Sequence, residues 1–207
     1  GPRDFILRDG VPGGSGWTIW AYDEGLNLLW QQRADAPWYG HSVYFYDVDG
    51  DGRDEALSGY HLYDDDGSLI WRMEGAEYFE MNDHVDNVVF GEIDGDEENG
   101  PEIGIAGSSE GFFLVDARDG RVRRQHRMGH TQDVYAGNFR PDLPGVEMWV
   151  GDRWDSYGLL VQFSGAGEPL LSLEPDNDSQ SGPAVNWSGD GQELLLLSTS
   201  VRALGMY

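Results

Sequence analysis

Short apolar runs, interrupted every few positions by glycine or aspartate, organise this chain. No stretch sustains a helical apolar period, and the recurrent glycines argue against helix. Four segments share one pattern: Tyr22-Asp-Glu-Gly-Leu-Asn-Leu-Leu-Trp30, Tyr63-Asp-Asp-Asp-Gly-Ser-Leu-Ile-Trp71, Val115-Asp-Ala-Arg-Asp-Gly-Arg-Val-Arg123 and Phe163-Ser-Gly-Ala-Gly-Glu-Pro-Leu-Leu171. Each reads as a hairpin: an apolar strand, an Asp/Gly turn, a second apolar strand. Aligned on Gly25, Gly67, Gly120 and Gly167, the copies are spaced by 42, 53 and 47 residues.

A second feature precedes each of the last three hairpins and recurs once more after them. It is a strand, an acidic loop and a further strand: Val43–Asp47 to Glu55–Leu57, Val88–Glu92 to Glu102–Ile105, Val134–Asn138 to Glu147–Val150, and Ala184–Asn186 to Glu193–Leu196. Four strands per 42–53 residues is the period of a β-propeller blade. The expectation is therefore an all-β chain, a β-propeller of four-stranded antiparallel blades at about 1–34, 35–79, 80–127, 128–175 and 176–207. Gly1–Leu7 matches the exit of an acidic loop, Gly52–Leu57, and Val201–Tyr207 reads as a third strand. Eighteen strands result, about four and a half blades. This implies a partial propeller, completed by more of the same chain or by a partner; an unusual closure with one strand missing is the alternative.

Charge narrows the function. There are 38 acidic residues, 24 of them aspartate, against 13 arginines and no lysine, for a net charge of −25. Without a basic patch, nucleic acid is a poor partner, because phosphate binding depends on Lys/Arg neutralisation. No apolar run is long enough for a membrane span, and no leader is visible. Aromatics at 13% exclude a disordered acidic tail. The absence of cysteine and lysine removes disulfides, thiolate nucleophiles and Schiff-base chemistry.

The acidic loops are candidate calcium sites. In Asp47-Val-Asp49-Gly-Asp51-Gly-Arg53-Asp54-Glu55, carboxylates fall at positions 1, 3, 5 and 9 and a main-chain carbonyl, that of Arg53, at position 7. Such an oxygen-rich loop suits Ca²⁺. An EF-hand fails, since position 12 is Ser58 and the flanks are β. The second loop keeps Glu92, Asp94, Asp96 and Glu102 as candidate ligands. In the third, Arg140 stands at the central carboxylate position and is expected to replace the ion by pairing with Asp142 and Glu147. The fourth, from Asn186 to Glu193, has lost most acids and reads as a plain turn.

Polar residues recur at fixed offsets before each loop. Eight positions upstream stand Tyr39, His84, His130 and Asp178; six upstream stand His41, Asp86, Gln132 and Gln180. Residues two apart on a strand share a face, so both rows should meet at one mouth of a central channel. His61 and His126 lie off the rows and read as structural. Arg153, Trp154 and Tyr157 share one loop, Gly151–Gly158. Arginine among aromatic rings suits an acidic sugar, the guanidinium holding a carboxylate and the rings stacking on pyranose faces.

His84-Val-Asp86 ahead of Glu92-Ile-Asp94-Gly-Asp96, and Gly129-His130-Thr-Gln132 ahead of Pro141-Asp142-Leu-Pro-Gly-Val-Glu147, together with the Asp47–Glu55 loop, resemble the rhamnogalacturonan lyases of polysaccharide lyase family 11. Residues 40–150 carry the likeness. Integrin-type calcium repeats share the acidic loop but not the His-x-Asp lead-in. The resemblance implies an eight-bladed calcium-loaded propeller, of which this chain is about half, secreted or periplasmic and acting on pectin. It implies a lyase that breaks a glycosidic bond by β-elimination at a uronic acid. His84 and His130 are candidates for the base or for ligands of a substrate-bridging cation, and Arg153 for the carboxylate clamp. Tyr39 or Tyr157 is the candidate proton donor. Tyr39, His41, Asp86, Gln132 and Trp154 would bind substrate. Two departures stand against this: the family's enzymes are much longer, and lysine is absent. The rivals are a non-catalytic calcium-binding propeller that holds glycan or protein, and a hydrolase with paired carboxylates, for which no pair is singled out by spacing.

Overall fold

The computed structural model describes residues 4–9, 17–34, 40–79, 83–153, 158–174 and 179–199, and everything regular among them is β. The first sheet has three strands, β1 (Phe5–Arg8), β2 (Trp17–Tyr22) and β3 (Leu28–Ala34). Three four-stranded sheets follow. They are β4 (Val43–Tyr46), β5 (Glu55–Ser58), β6 (His61–Tyr63) and β7 (Leu69–Arg72); β8 (Asn87–Gly91), β9 (Glu102–Ala106), β10 (Phe112–Asp116) and β11 (Val122–His126); and β12 (Thr131–Gly137), β13 (Glu147–Asp152), β14 (Leu160–Phe163) and β15 (Pro169–Leu173). The fifth holds β16 (Ser179–Val185) and β17 (Leu194–Thr199). Each sheet is an antiparallel meander with its strands in chain order. Seventeen of the eighteen expected strands are thus present; the last, at 201–207, lies outside the described residues. No closed ring of sheets is found among the described residues.

The sheets stack on one another, and the core lies between them. Phe113 and Val115 of β10 join Ile103, Ile105, Leu57 and Leu62 on one side. Phe112 and Leu114 of the same strand join Met148, Val150, Val161 and Phe163 on the other. Successive side chains point to opposite faces, so a strand covered on both faces leaves no position to solvent, and its few polar members, Glu102, Glu147, Asp152 and Gln162, are buried with the rest. That explains the unbroken burial of β9, β13 and β14. By contrast β2 alternates buried Trp17, Ile19 and Ala21 with half-buried neighbours, and β15 is exposed throughout.

A second device locks neighbouring sheets together. Each hairpin has a register irregularity just before its Asp/Gly turn, at Ala21/Tyr22, Leu62/Tyr63, Leu114/Val115 and Gln162/Phe163. The turn then needs one residue in the left-handed region. Gly67 (φ 84°), Gly120 (φ 73°) and Gly167 (φ 77°) supply it. Their bare faces receive a side chain from the preceding sheet. A Cβ on Gly67 would lie 2.7 Å from the Trp30 ring, on Gly120 2.6 Å from Trp71, and on Gly167 2.8 Å from Arg124. Indole N–H groups complete the lock: Trp30 Nε1 donates to the Asp65 carbonyl (2.7 Å) and Trp71 Nε1 to the Ala117 carbonyl (2.8 Å). Across the next junction the ring of His126 packs at a tilt against Phe163, its Nε2 2.8 Å from the Gly167 carbonyl.

The first hairpin departs from the alignment on glycines. There Leu26, not Gly25, takes the left-handed conformation (φ 63°). The bulge fixes which position bends, whichever residue occupies it. Two outcomes follow for stability. Gly120→Ala should cost several kcal/mol, and Gly189→Ala only about 1 kcal/mol, because both have similar φ but nothing lies within 4 Å of a Cβ at Gly189. Leu26→Gly should stabilise by about 1 kcal/mol, since Leu26 is largely exposed. Urea unfolding midpoints measure both; equal costs at the two glycines would refute the packing account.

Candidate functional site

The acidic loops share a clasp. The glutamate that opens the second strand is buried and turns back onto the loop backbone. Glu55 accepts from Val48 N–H (2.6 Å), Glu102 from Ile93 and Asp94 N–H (2.9 and 3.1 Å), and Glu147 from Arg140 N–H (2.6 Å). Beyond the clasp the loops diverge. In the first, Asp47, Asp49 and Glu55 each offer an oxygen within 4.8 Å of the others. Burial and the charges of Asp49, Asp64 and Asp47 push the Glu55 carboxyl up. This all-oxygen set fits a hard cation such as Ca²⁺. Asp51 accepts the Arg53 N–H (2.8 Å), and the Arg53 side chain pairs with Asp65.

The second loop fits a cation less well. Arg123 Nη1 binds Asp94 (3.0 Å) and Glu102 (2.7 Å), and its Nη2 binds Asp116 (2.6 Å). A guanidinium therefore neutralises two of the four expected ligands, while Asp96 accepts the Glu98 N–H and Glu92 lies outside the Arg123 cluster. In the third loop the Arg140 guanidinium grips Asp142 with two bonds (2.9 and 2.8 Å) and sends only its backbone N–H to Glu147. The expected pairing is therefore half present: the side chain is drawn outward by an exposed carboxylate.

The polar rows converge. His41 precedes β4, His84 and Asp86 precede β8, and His130 and Gln132 stand at the start of β12. Backbone bonds stitch these segments: His41 N–H donates to the Val85 carbonyl (2.9 Å), and Ser108 and Thr131 exchange N–H···O bonds (3.1 and 2.9 Å). The Asp86 side chain, 1% exposed, is the centre. One of its oxygens lies 3.2 Å from His41 Nε2, 3.2 Å from His84 Nε2 and 2.8 Å from Gln132 Nε2. The other lies 3.4 Å from His130 Nε2 and accepts from Ser108 Oγ. His84 Nδ1 is bound by Asp83 (2.6 Å).

The electrostatics follow from this crowding. Burial pushes the Asp86 carboxyl up, but His130, His84 and Ser108 outweigh it and hold it well below the usual carboxylate range. His84 is lowered by burial and raised more by Asp86 and Asp83, with a net rise. His41 is lowered by burial and by the neighbouring His84. Burial also pushes Asp133 up to about 6, against the pull of Arg153. The result is a solvent-edged group of imidazoles on one buried carboxylate.

Of the residues named from sequence, His41, His84, Asp86, His130 and Gln132 are brought together. Arg153 joins through its N–H to the His130 carbonyl (2.8 Å). Tyr39, Trp154, Tyr157 and Asp178 lie outside the described residues. Sequence reasoning passed over Asp83, Ser108 and Asp133. Ser108 had a signal. β8 and β9 pair antiparallel with Asn87 opposite Ala106, so the turn after Ala106 must lie beside His84 and Asp86. Ser108 is buried there with φ 51°, a strained conformation for a serine.

No family model and no curated protein match this chain. Solved structures do match in fold. Bacillus licheniformis rhamnogalacturonan lyase PL11 aligns at 22% identity and TM-score 0.70, over 93% of this chain and 32% of that one. Rhamnogalacturonan lyase YesW aligns at 21% and 0.64, over 86% and 30%. The V. cholerae biofilm matrix protein Bap1 aligns at 14% and 0.57, over 82% and 28%. The chain thus spans about a third of the length of each, and shares its fold.

If the first loop holds Ca²⁺, removing the ion has a direct consequence. Without a cation, Asp47, Asp49 and Glu55 repel one another in a chain of net charge −25. Chelator should lower the melting temperature by about 5 °C, millimolar Ca²⁺ should restore it, and Asp49→Asn should abolish the response. A melting curve indifferent to chelator would remove the site.

Proposed function

We propose that this chain is part of a β-propeller polysaccharide lyase, with calcium in the loop at 47–55, that cleaves an acidic, rhamnogalacturonan-type polymer by β-elimination. The observation that carries the reading is the cluster of His41, His84 and His130 around Asp86, on a fold shared with two rhamnogalacturonan lyases. Elimination removes the weakly acidic C5 proton of a uronate, and neutralising the adjacent carboxylate stabilises the charge that develops. Arg153 binds that carboxylate. His130 or His84 takes the proton, each about one-sixth exposed and oriented by Asp86. Tyr39 or Tyr157 gives a proton to the leaving oxygen. Calcium in the acidic loop holds the framework and stands outside these steps. A substrate of this size places the protein outside the cytoplasm, secreted or periplasmic.

A second reading has its own support. The likeness to a biofilm matrix protein favours a non-catalytic calcium-binding propeller that holds glycan or protein. Incubating the whole protein with pectic polymers separates the two. The lyase reading expects ultraviolet absorbance from unsaturated uronates, reduced at least about 100-fold by His130→Ala with melting unchanged. Polymer retention without any new absorbance would establish the binding reading instead.

A further inference from the structure

We infer that the second acidic loop, Glu92–Glu102, takes no calcium, and that the guanidinium of Arg123 holds the ion's place as a cation built into the chain. The family resemblance implies calcium in this loop, and the residues present do not fit it. Arg123 Nη1 lies 3.0 Å from Asp94 Oδ2 and 2.7 Å from Glu102 Oε1, and its Nη2 2.6 Å from Asp116 Oδ2. The other oxygens of these three carboxylates are engaged as well. Glu102 Oε2 accepts from the Ile93 and Asp94 N–H groups, Asp94 Oδ1 from Asp96 N–H (2.8 Å) and Asp116 Oδ1 from Arg118 N–H (3.0 Å). Asn99 Nδ2 adds a bond to Asp94 Oδ2 (2.9 Å). Ca²⁺ wants six to eight oxygens of its own, and here it would have to expel a permanently charged fork bound to three acids. Among the described residues, Glu92, Asp94, Asp96 and Glu102 form no group of three whose oxygens converge within 4.8 Å.

The position of Arg123 is the second observation. The bulge before each hairpin turn leaves one extra residue on the fourth strand: Leu29, Ile70, Arg123 and Leu170. A bulge re-aims the side chain it carries. Leu29, Ile70 and Leu170 are exposed, whereas the Arg123 side chain is 25% exposed and turned onto the loop of its own sheet. The three acids it binds recur one sheet earlier. By their places in loop and hairpin, Asp94, Glu102 and Asp116 correspond to Asp49, Glu55 and Asp64. There Ile70 brings no charge, Arg53 pairs with Asp65 instead, and Asp47, Asp49 and Glu55 keep their converging oxygens. One residue at one register position thus decides whether a sheet draws its positive charge from solution or from its own chain. The contrast with the first loop rests on the calcium reading given above; the occupation of the second by Arg123 does not. It also bears on the histidine cluster. β8 runs from Asp86 to the second loop, so the strand beside that carboxylate is anchored at its far end without calcium.

The test is Ca²⁺ titration by calorimetry on metal-stripped whole protein, read as differences between variants. Asp49→Asn should remove one equivalent and Asp94→Asn none. Arg123→Met should add one equivalent, which a further Asp94→Asn removes. In chelator, amide exchange should quicken about 10-fold at β4 and β5 and stay unchanged at β8 and β9. Three results would each overturn the proposal: an equivalent lost on Asp94→Asn with Arg123 intact, exchange at β8 and β9 that quickens in chelator, or a folded Arg123→Met protein, checked by circular dichroism, that gains no calcium. Asp94→Asn is isosteric and leaves Arg123 in place, so the first comparison decides even where Arg123→Met fails to fold. An Asp49→Asn protein that keeps all its calcium would remove the first-loop reading instead, since Asp94 and Arg123 are scored separately.

Discussion

Everything in this molecule depends on sheets having to be covered on both faces. A four-stranded antiparallel sheet whose strands are apolar on both faces leaves apolar surface in water unless a neighbour covers it. Stacking solves the problem in one direction after another: Phe113 packs toward the sheet before it and Phe112 toward the sheet after it. Each fully buried aromatic or aliphatic side chain contributes on the order of 2–3 kcal/mol, and the middle strands are made of little else. Stability is thus shared between neighbours, as in repeat proteins.

Stacking of this kind needs registration, and the turns provide it. A left-handed glycine opens a bare patch on the hairpin, and the tryptophan or arginine of the preceding sheet fills it. The two tryptophans also donate to carbonyls of that turn or the residues beside it, and Arg124 pairs with the Glu168 carboxylate. One local constraint, the bulge before the turn, sets both the shape of the hairpin and the spacing to its neighbour. The clasping glutamates do the same at the acidic loops, tying the end of one strand to the start of the next.

Polar side chains from three neighbouring sheets meet at the starts of their first strands. The starts of β4, β8 and β12 come to one place because each sheet repeats the same geometry. A strongly acidic chain there concentrates three of its five histidines on one buried carboxylate. The loop after the second strand returns to that end, which is how Ser108 and Arg153 reach it.

Legible along the chain were the β class, the positions of the hairpins and the acidic loops, and the meeting of His41, His84, Asp86, His130 and Gln132 from the offset rows. These follow from local chemistry: alternation, turn residues, and equal spacing in equivalent units. What it did not determine depends on which partner a side chain finds across a junction. Leu26 takes the strained position beside Gly25 because the bulge, set by pairing, decides it. Arg123 occupies the second acidic loop from a strand two removed from it, and no spacing within the loop foretells that. Asp83 and Ser108 enter the cluster through antiparallel register rather than through the repeat. Charge pairing and hydrogen bonding act over a few ångströms in space, and only the tertiary structure decides which residues are that close.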